Sequence, residues 1–145
     1  MTHYFRLFAL FLVTTSWASL AVAQSPAGLW KSVNEETGEA ESIVEIFEES
    51  GELKGKIVSL LNPPEPNPLC TECKGEKKDL PVMGLEIIWG LEQDGETWEG
   101  GNILDPNNGV TYNCRLRVNE DGSLEVRGFV GIALLGRTQI WLPAD

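Results

Sequence analysis

A two-residue apolar period recurs along most of the chain after residue 23, and it restricts the fold more than any other feature. It is clearest from Val110 to Val118. Val110, Tyr112, Cys114, Leu116 and Val118 share one face, and Thr111, Asn113, Arg115 and Arg117 share the other, as in a half-buried strand. Similar short runs occupy Gly28–Val33, Ser42–Glu48, Leu53–Leu60, Leu85–Leu91, Thr97–Leu104, Ser123–Val130 and Thr138–Leu142, which makes eight candidate strands. Turn chemistry separates them: Glu48-Glu49-Ser50-Gly51, Gln93-Asp94-Gly95, Asp105-Pro106-Asn107-Asn108-Gly109 and Asn119-Glu120-Asp121-Gly122. No segment longer than ten residues has an amphipathic helical period. Short strands joined by hairpin turns predict an all-β domain, a single antiparallel up-and-down β-barrel of about eight strands. Closure of that sheet removes its sticky edges.

The first 23 residues have a different character. Arg6 is their only formal charge, Leu7 to Val13 form an apolar run, and Ala21-Val22-Ala23 is a small-x-small cleavage site before Gln24. This is the pattern of a cleavable signal peptide over residues 1–23, and Thr14, Thr15 and Ser16 interrupt the run too early for a membrane anchor. The expected mature chain, residues 24–145, is one domain with no membrane span, periplasmic or secreted. It carries ten basic and 22 acidic residues, a net charge of −12. Such a polyanion has no general attraction for nucleic acid or anionic lipid. His3, the only histidine, is expected to leave with the signal peptide, which excludes Ser-His-Asp and Cys-His nucleophiles from the mature protein.

One stretch breaks the strand rhythm. Residues 62–83 hold five prolines, Cys70, Cys73 and a lysine pair, and are too long for an ordinary hairpin connection. Three readings of Cys70-Thr71-Glu72-Cys73 compete. A redox pair wants its first thiol at a helix N-terminus after a strand, and Pro68-Leu69 precede this one. A zinc site wants four ligands, which Cys70, Cys73 and Cys114 would supply with Glu72 or Asp79. An oxidising compartment favours the third reading, a structural disulfide. Closing Cys70–Cys73 is worth about 2 kcal/mol and closing Cys73–Cys114 about 4 kcal/mol, so stability favours the long bridge and proximity the short one. The short bridge is the expected pairing, with Cys114 buried and reduced on the apolar face of its strand.

Trp89, Trp98 and Tyr112 fall on three neighbouring candidate strands. Facing inward together with Cys114, they would line an apolar cavity; packed tightly, they would simply fill the core. Gly28-Leu29-Trp30 opens the first strand, and its indole is expected to plug one end of the barrel. Glu45 and Glu86 would form an acid/base pair only if both pointed inward. Most acids here suit solvated strand and turn positions, so no catalytic residue is nominated. Lys74 to Lys78 form a small basic island that is expected to be a solvated loop tip.

A series of motifs follows the same order as the strands. It runs through Gly28-Leu29-Trp30, Ile43-Val44-Glu45-Ile46, Leu53-Lys54-Gly55-Lys56-Ile57, Cys70-x-x-Cys73-x-Gly75 and Trp98-x-Gly100-Gly101-x-Ile103-x-Asp105-Pro106. It continues with Gly109-x-x-Tyr112-x-Cys114, Leu124-x-Val126-Arg127-Gly128-Phe129 and Leu135-Gly136-Arg137-Thr138-Gln139-x-Trp141. Over residues 26–142 this resembles the bacterial secreted family known as domain of unknown function 2147. The resemblance implies an exported, cysteine-bearing barrel related in shape to lipocalins and fatty-acid-binding proteins, and it implies no activity. The Gly-x-Trp opening is also similar to the lipocalin start, where an arginine of the last strand packs on the tryptophan. Arg137 would lie about 13 Å from that position if Trp141 meets Trp30, and Arg127 is the other candidate.

The expected function is to bind a small apolar or amphipathic molecule in the cell envelope, with no cofactor. Two alternatives stand beside it. One is a redox or metal-binding protein built on Cys70 and Cys73, and the other is an interaction module that presents residues 62–83 to a protein partner of unknown kind.

Overall fold

The computed structural model describes residues 24–145. Eight strands follow one another: β1 Gly28–Val33, β2 Ala40–Glu49, β3 Glu52–Leu60, β4 Glu86–Asp94, β5 Thr97–Asp105, β6 Val110–Val118, β7 Leu124–Phe129 and β8 Gly136–Pro143. Each pairs antiparallel with its neighbour, and β8 returns to β1, so the sheet is a closed barrel in sequence order. β1 and β6 have the bounds expected from the apolar period. The other strands differ by one to three residues at one or both ends, where the apolar pattern and the hydrogen bonding do not stop together. The segment read as a signal peptide lies outside the described residues. Among those described, no helix is long and apolar enough to cross a membrane.

Alternation divides the wall into two faces. Val44, Ile46, Leu53, Ile88, Leu91, Cys114, Leu116, Leu124 and Val126 are buried in the interior. The outer face carries ion pairs between neighbouring strands, among them Lys56–Glu45 at 3.3 Å, Arg115–Glu99 at 3.1 Å and Arg117–Glu125 at 2.8 Å. Glu45 therefore points outward. Glu86 pairs in register with the outward Lys56, so the two carboxylates form no inward acid/base pair.

The turns sort to two ends. Tight turns after β2, β4 and β6 close one end, and residues Ser50 and Gly51 both adopt positive φ, 54° and 81°, as a two-residue hairpin with right-handed strand twist requires. The opposite end, the mouth, holds the β1–β2, β3–β4, β5–β6 and β7–β8 connections. Near the tight-turn end the interior is full: Trp30, Trp98 and Trp141 join Leu53, Leu91, Leu116 and Leu124 in one apolar cluster. β5 reaches β4 so closely that a Cβ at Gly101 would collide with the Trp89 carbonyl.

Closure is short. β1 meets β8 only through Trp30–Pro143 and Lys31–Leu142, with one further bond from the Ala144 amide to the Leu29 carbonyl at 2.9 Å. Trp30 thus faces Pro143, two residues beyond Trp141. Register also decides which face of β8 is internal. Gln139 and Trp141 pair with the inward Val126 and Leu124, while Ile140 and Leu142 lie exposed on the outside.

Candidate functional site

Moving along the inward face toward the mouth, burial gives way to solvent. On β8, Trp141 is 2% exposed, Gln139 is half-buried, and the Arg137 side chain is 84% exposed. On β6, Leu116 and Cys114 are fully buried and Tyr112 is half-buried. On β7, the buried Leu124 and Val126 lead to the half-buried Gly128 and then to the exposed Val130. Side chains that face inward yet meet water define an opening, here over β6, β7 and β8. Gly128 is flanked by apolar wall: a Cβ there would sit in van der Waals contact, 3.6 Å from Tyr112 Cβ and 3.8 Å from Ile103 Cγ2. Beyond β7 the rim is apolar, with Val130, Ile132, Leu134 and Leu135 all exposed.

A polar chain runs up the inside of β8 beside this opening. Trp141 Nε1 donates to Gln139 Oε1 at 2.7 Å. Gln139 Nε2 donates to Glu35 Oε1, and an Arg137 guanidinium nitrogen donates to Glu35 Oε2, both at 3.0 Å. Glu35 belongs to the β1–β2 turn, which Asn34 Oδ1 ties by accepting the Glu36 and Thr37 amides at 2.9 and 3.1 Å. The hydrogen bonds from Gln139 and Arg137 and the guanidinium charge hold the Glu35 carboxyl below its ordinary value of 4.5, and the carboxylate raises Arg137 in return. Deeper, the buried Ser32 and Ser42 hydroxyls meet at 2.6 Å on neighbouring strands.

The residues nominated from sequence are dispersed. Tyr112 faces the mouth, Cys114 lies fully buried beneath it, and Trp98 is packed near the tight-turn end with its indole N–H unpaired. Trp89 is a correction: it faces outward, because its register partner Asn102 alternates with the inward Gly101 and Ile103. Lys77 covers it, with Nζ 3.7 Å from the ring centroid, and donates to the Glu86 carbonyl at 2.8 Å. Burial pushes the Lys77 ammonium down, so this part of the basic island is a clamp on the wall and not a solvated tip.

The plug also differs from expectation. Trp30 is buried as expected, but its Nε1 donates to the Pro26 carbonyl at 2.8 Å. Gly28, at φ 145°, lies beneath that indole, 4.0 Å from Nε1 to where a Cβ would stand. Arg137 is six residues along β8 from the partner of Trp30, roughly 20 Å at the strand rise. Arg127 faces outward and donates to Thr138 Oγ1 at 2.7 Å. Neither arginine reaches the plug, because Arg137 stands at the other end of β8 and Arg127 lies on the outer face; the Trp30 indole is held instead by the chain before β1.

Cys70 and Cys73 form a disulfide and Cys114 is free. The sulfurs do not gather. Cys73 packs outside the wall near Leu104 and Thr111, around a cleft of about 270 Å³, and Cys114 lies inside. Burial pushes the Cys114 thiol up to about 12, which makes it an inert core residue. The long segment is held at several places, among them the disulfide, a bridge between Leu69 and Pro81, and Lys77 on Trp89.

Glu35, Gln139, Ser32 and Ser42 were not nominated as site residues from the sequence. The two serines and Gln139 had a signal, since each puts a polar side chain on an inward position of an alternating strand. Glu35 had none, because its partners lie more than a hundred residues away.

Among known proteins, a family model described as “Uncharacterized protein conserved in bacteria (DUF2147)” matches residues 28–142. Protein HP1028 of Helicobacter pylori, described as belonging to the lipocalin family, has a similar structure. Its TM-score is 0.72 at 19% identity, with 82% of each chain covered, a likeness of fold. No curated protein matches the chain.

Proposed function

On the premise that the chain belongs to the family described as “Uncharacterized protein conserved in bacteria (DUF2147)”, we propose that it binds a small amphipathic molecule at the mouth of its barrel. The observation that carries this reading is the inward face that reaches solvent at Tyr112, Gly128, Gln139 and Arg137. Tyr112, Ile103 and the exposed Val130 offer apolar surface, and the Arg137–Glu35–Gln139 group offers a polar anchor beside it. An apolar wall beside a few converging polar groups suits an amphipathic ligand. The lipocalin-like neighbour supports this only by analogy of fold. The packed lower half limits the ligand to the mouth. In this reading the protein acts in an exported compartment, where the Cys70–Cys73 disulfide persists.

The experiment is a titration with decanoate and with 1-decanol, read by the indole N–H resonance of Trp141. That group senses the mouth through its bond to Gln139. A saturable shift is expected with at least one of them. Gly128→Leu covers the apolar wall beside Tyr112 and is expected to abolish the shift while the other indole signals stay dispersed. No saturable response from either molecule, or full binding by this variant, refutes the proposal.

A further inference from the structure

We propose that Arg137 and Gln139 form a carboxylate-binding site, that Glu35 is the chain's own exchangeable occupant of it, and that the molecule taken up at the mouth is an alkyl carboxylate. This rests on the mouth reading above and specifies its ligand class.

The argument begins at Trp141. An indole N–H can only donate, so its bond at 2.7 Å requires the oxygen of the Gln139 amide to face it. The NH2 of Gln139 must then point the other way, toward the mouth, with donors alone. Two positions along the same face of the strand, Arg137 presents a second donor-only group. The pair is therefore a fork that accepts oxygen and rejects amines. Glu35 shows the geometry it takes: one carboxylate, each oxygen receiving one N–H at 3.0 Å. Charge-assisted bonds of this two-point kind discriminate a carboxylate from a neutral hydroxyl.

The occupant is placed to leave. The Glu35 side chain is 39% exposed, and its backbone turn is held independently by Asn34. Only the side chain must swing for an incoming carboxylate to take its place. Once seated there, the ligand has apolar wall within reach. Arg137 pairs in register with Gly128, which lies against Tyr112 and Ile103 on the same inward face. The exposed Val130 and Ile132 stand on the rim just beyond β7. Head and tail of one molecule thus find complementary surfaces in adjacent positions.

The test compares decanoate with 1-decanol on the protein and on two rim variants, using the Trp141 indole resonance. Decanoate is expected to bind more tightly than decanol. Glu35→Gln removes the competing carboxylate charge and is expected to strengthen decanoate binding relative to decanol roughly three- to fivefold, the size of a solvent-exposed ion pair. Arg137→Met is expected to abolish the preference for the acid while decanol still binds. If Glu35 were only a structural tie for its turn, Glu35→Gln would not favour the acid, and that result overturns the inference. A preference that survives Arg137→Met also overturns it, because the carboxylate would then sit elsewhere. Equal binding of acid and alcohol overturns this inference but leaves the mouth reading standing, whereas binding of neither overturns both.

Discussion

Trp141 decides the chemistry of the rim through a single donor. Its indole orients the Gln139 amide, and the amide with Arg137 holds Glu35. The pH dependence follows from the direction of the shift. The folded protein lowers the Glu35 carboxyl, so this tie contributes fully above the ordinary value of 4.5 and is lost as pH falls through the lower folded value. The Trp141 indole resonance is expected to titrate with a midpoint below 4.5, and a midpoint at or above 4.5 would show that the tie is not formed. Cys114 gives a second residue-level prediction. With its thiol buried and raised to about 12, it should resist iodoacetamide at pH 8 in the native protein and react on unfolding. Mass spectrometry reads the outcome as zero added labels against one. The alternation of β6 already placed Cys114 on the apolar face. The partner of Glu35 was invisible, because a turn carboxylate looks the same in sequence whether it meets water or an arginine brought from the far end of the chain.

Among the elements, the Asn62–Met83 segment shows most clearly what packing adds. Its composition marked it as tied down, and the disulfide is one of the ties. What its composition could not reveal is the surface it covers. Leu104 faces outward on β5 yet is only 4% exposed, because this segment lies over it. At the same place the Glu72 carbonyl comes so near Gly109 that no Cβ fits, and Gly109 also adopts φ 69°. Gly109→Ala is therefore expected to destabilise the protein by about 1–3 kcal/mol through forced displacement of the loop, measured by urea unfolding. Replacing Cys70 and Cys73 by serine removes a short cross-link worth about 2 kcal/mol. Limited proteolysis should then cut first within residues 62–83, and unchanged cutting would mean that the remaining contacts, Lys77 on Trp89 and the Leu69–Pro81 bridge among them, hold the segment without the disulfide.

At the scale of the whole molecule, the barrel depends on its shortest seam. Most neighbouring strands pair over six or more register positions, whereas β1 and β8 share two. Hydrogen exchange is expected to be fastest among the ladder amides at this seam, with Ala144 among the first. Deleting residues 142–145 removes both register partners, Leu142 and Pro143. The exposed edges of β1 and β8 should then favour association between molecules, seen as a concentration-dependent rise in sedimentation coefficient. A deletion variant that stays monomeric and equally stable would show that closure contributes little. The sequence by itself determined the strand number, their bounds to within three residues, the tight turns and the antiparallel order. Those features are local: a period of two and a Gly or Asn at a turn act on neighbouring residues. Only the tertiary structure decided that Trp89 faces outward, that Pro26 and not an arginine meets Trp30, and that Glu35 closes on β8. Each of these depends on register, bulges and the return of the last strand to the first, which bring together groups that no local pattern relates.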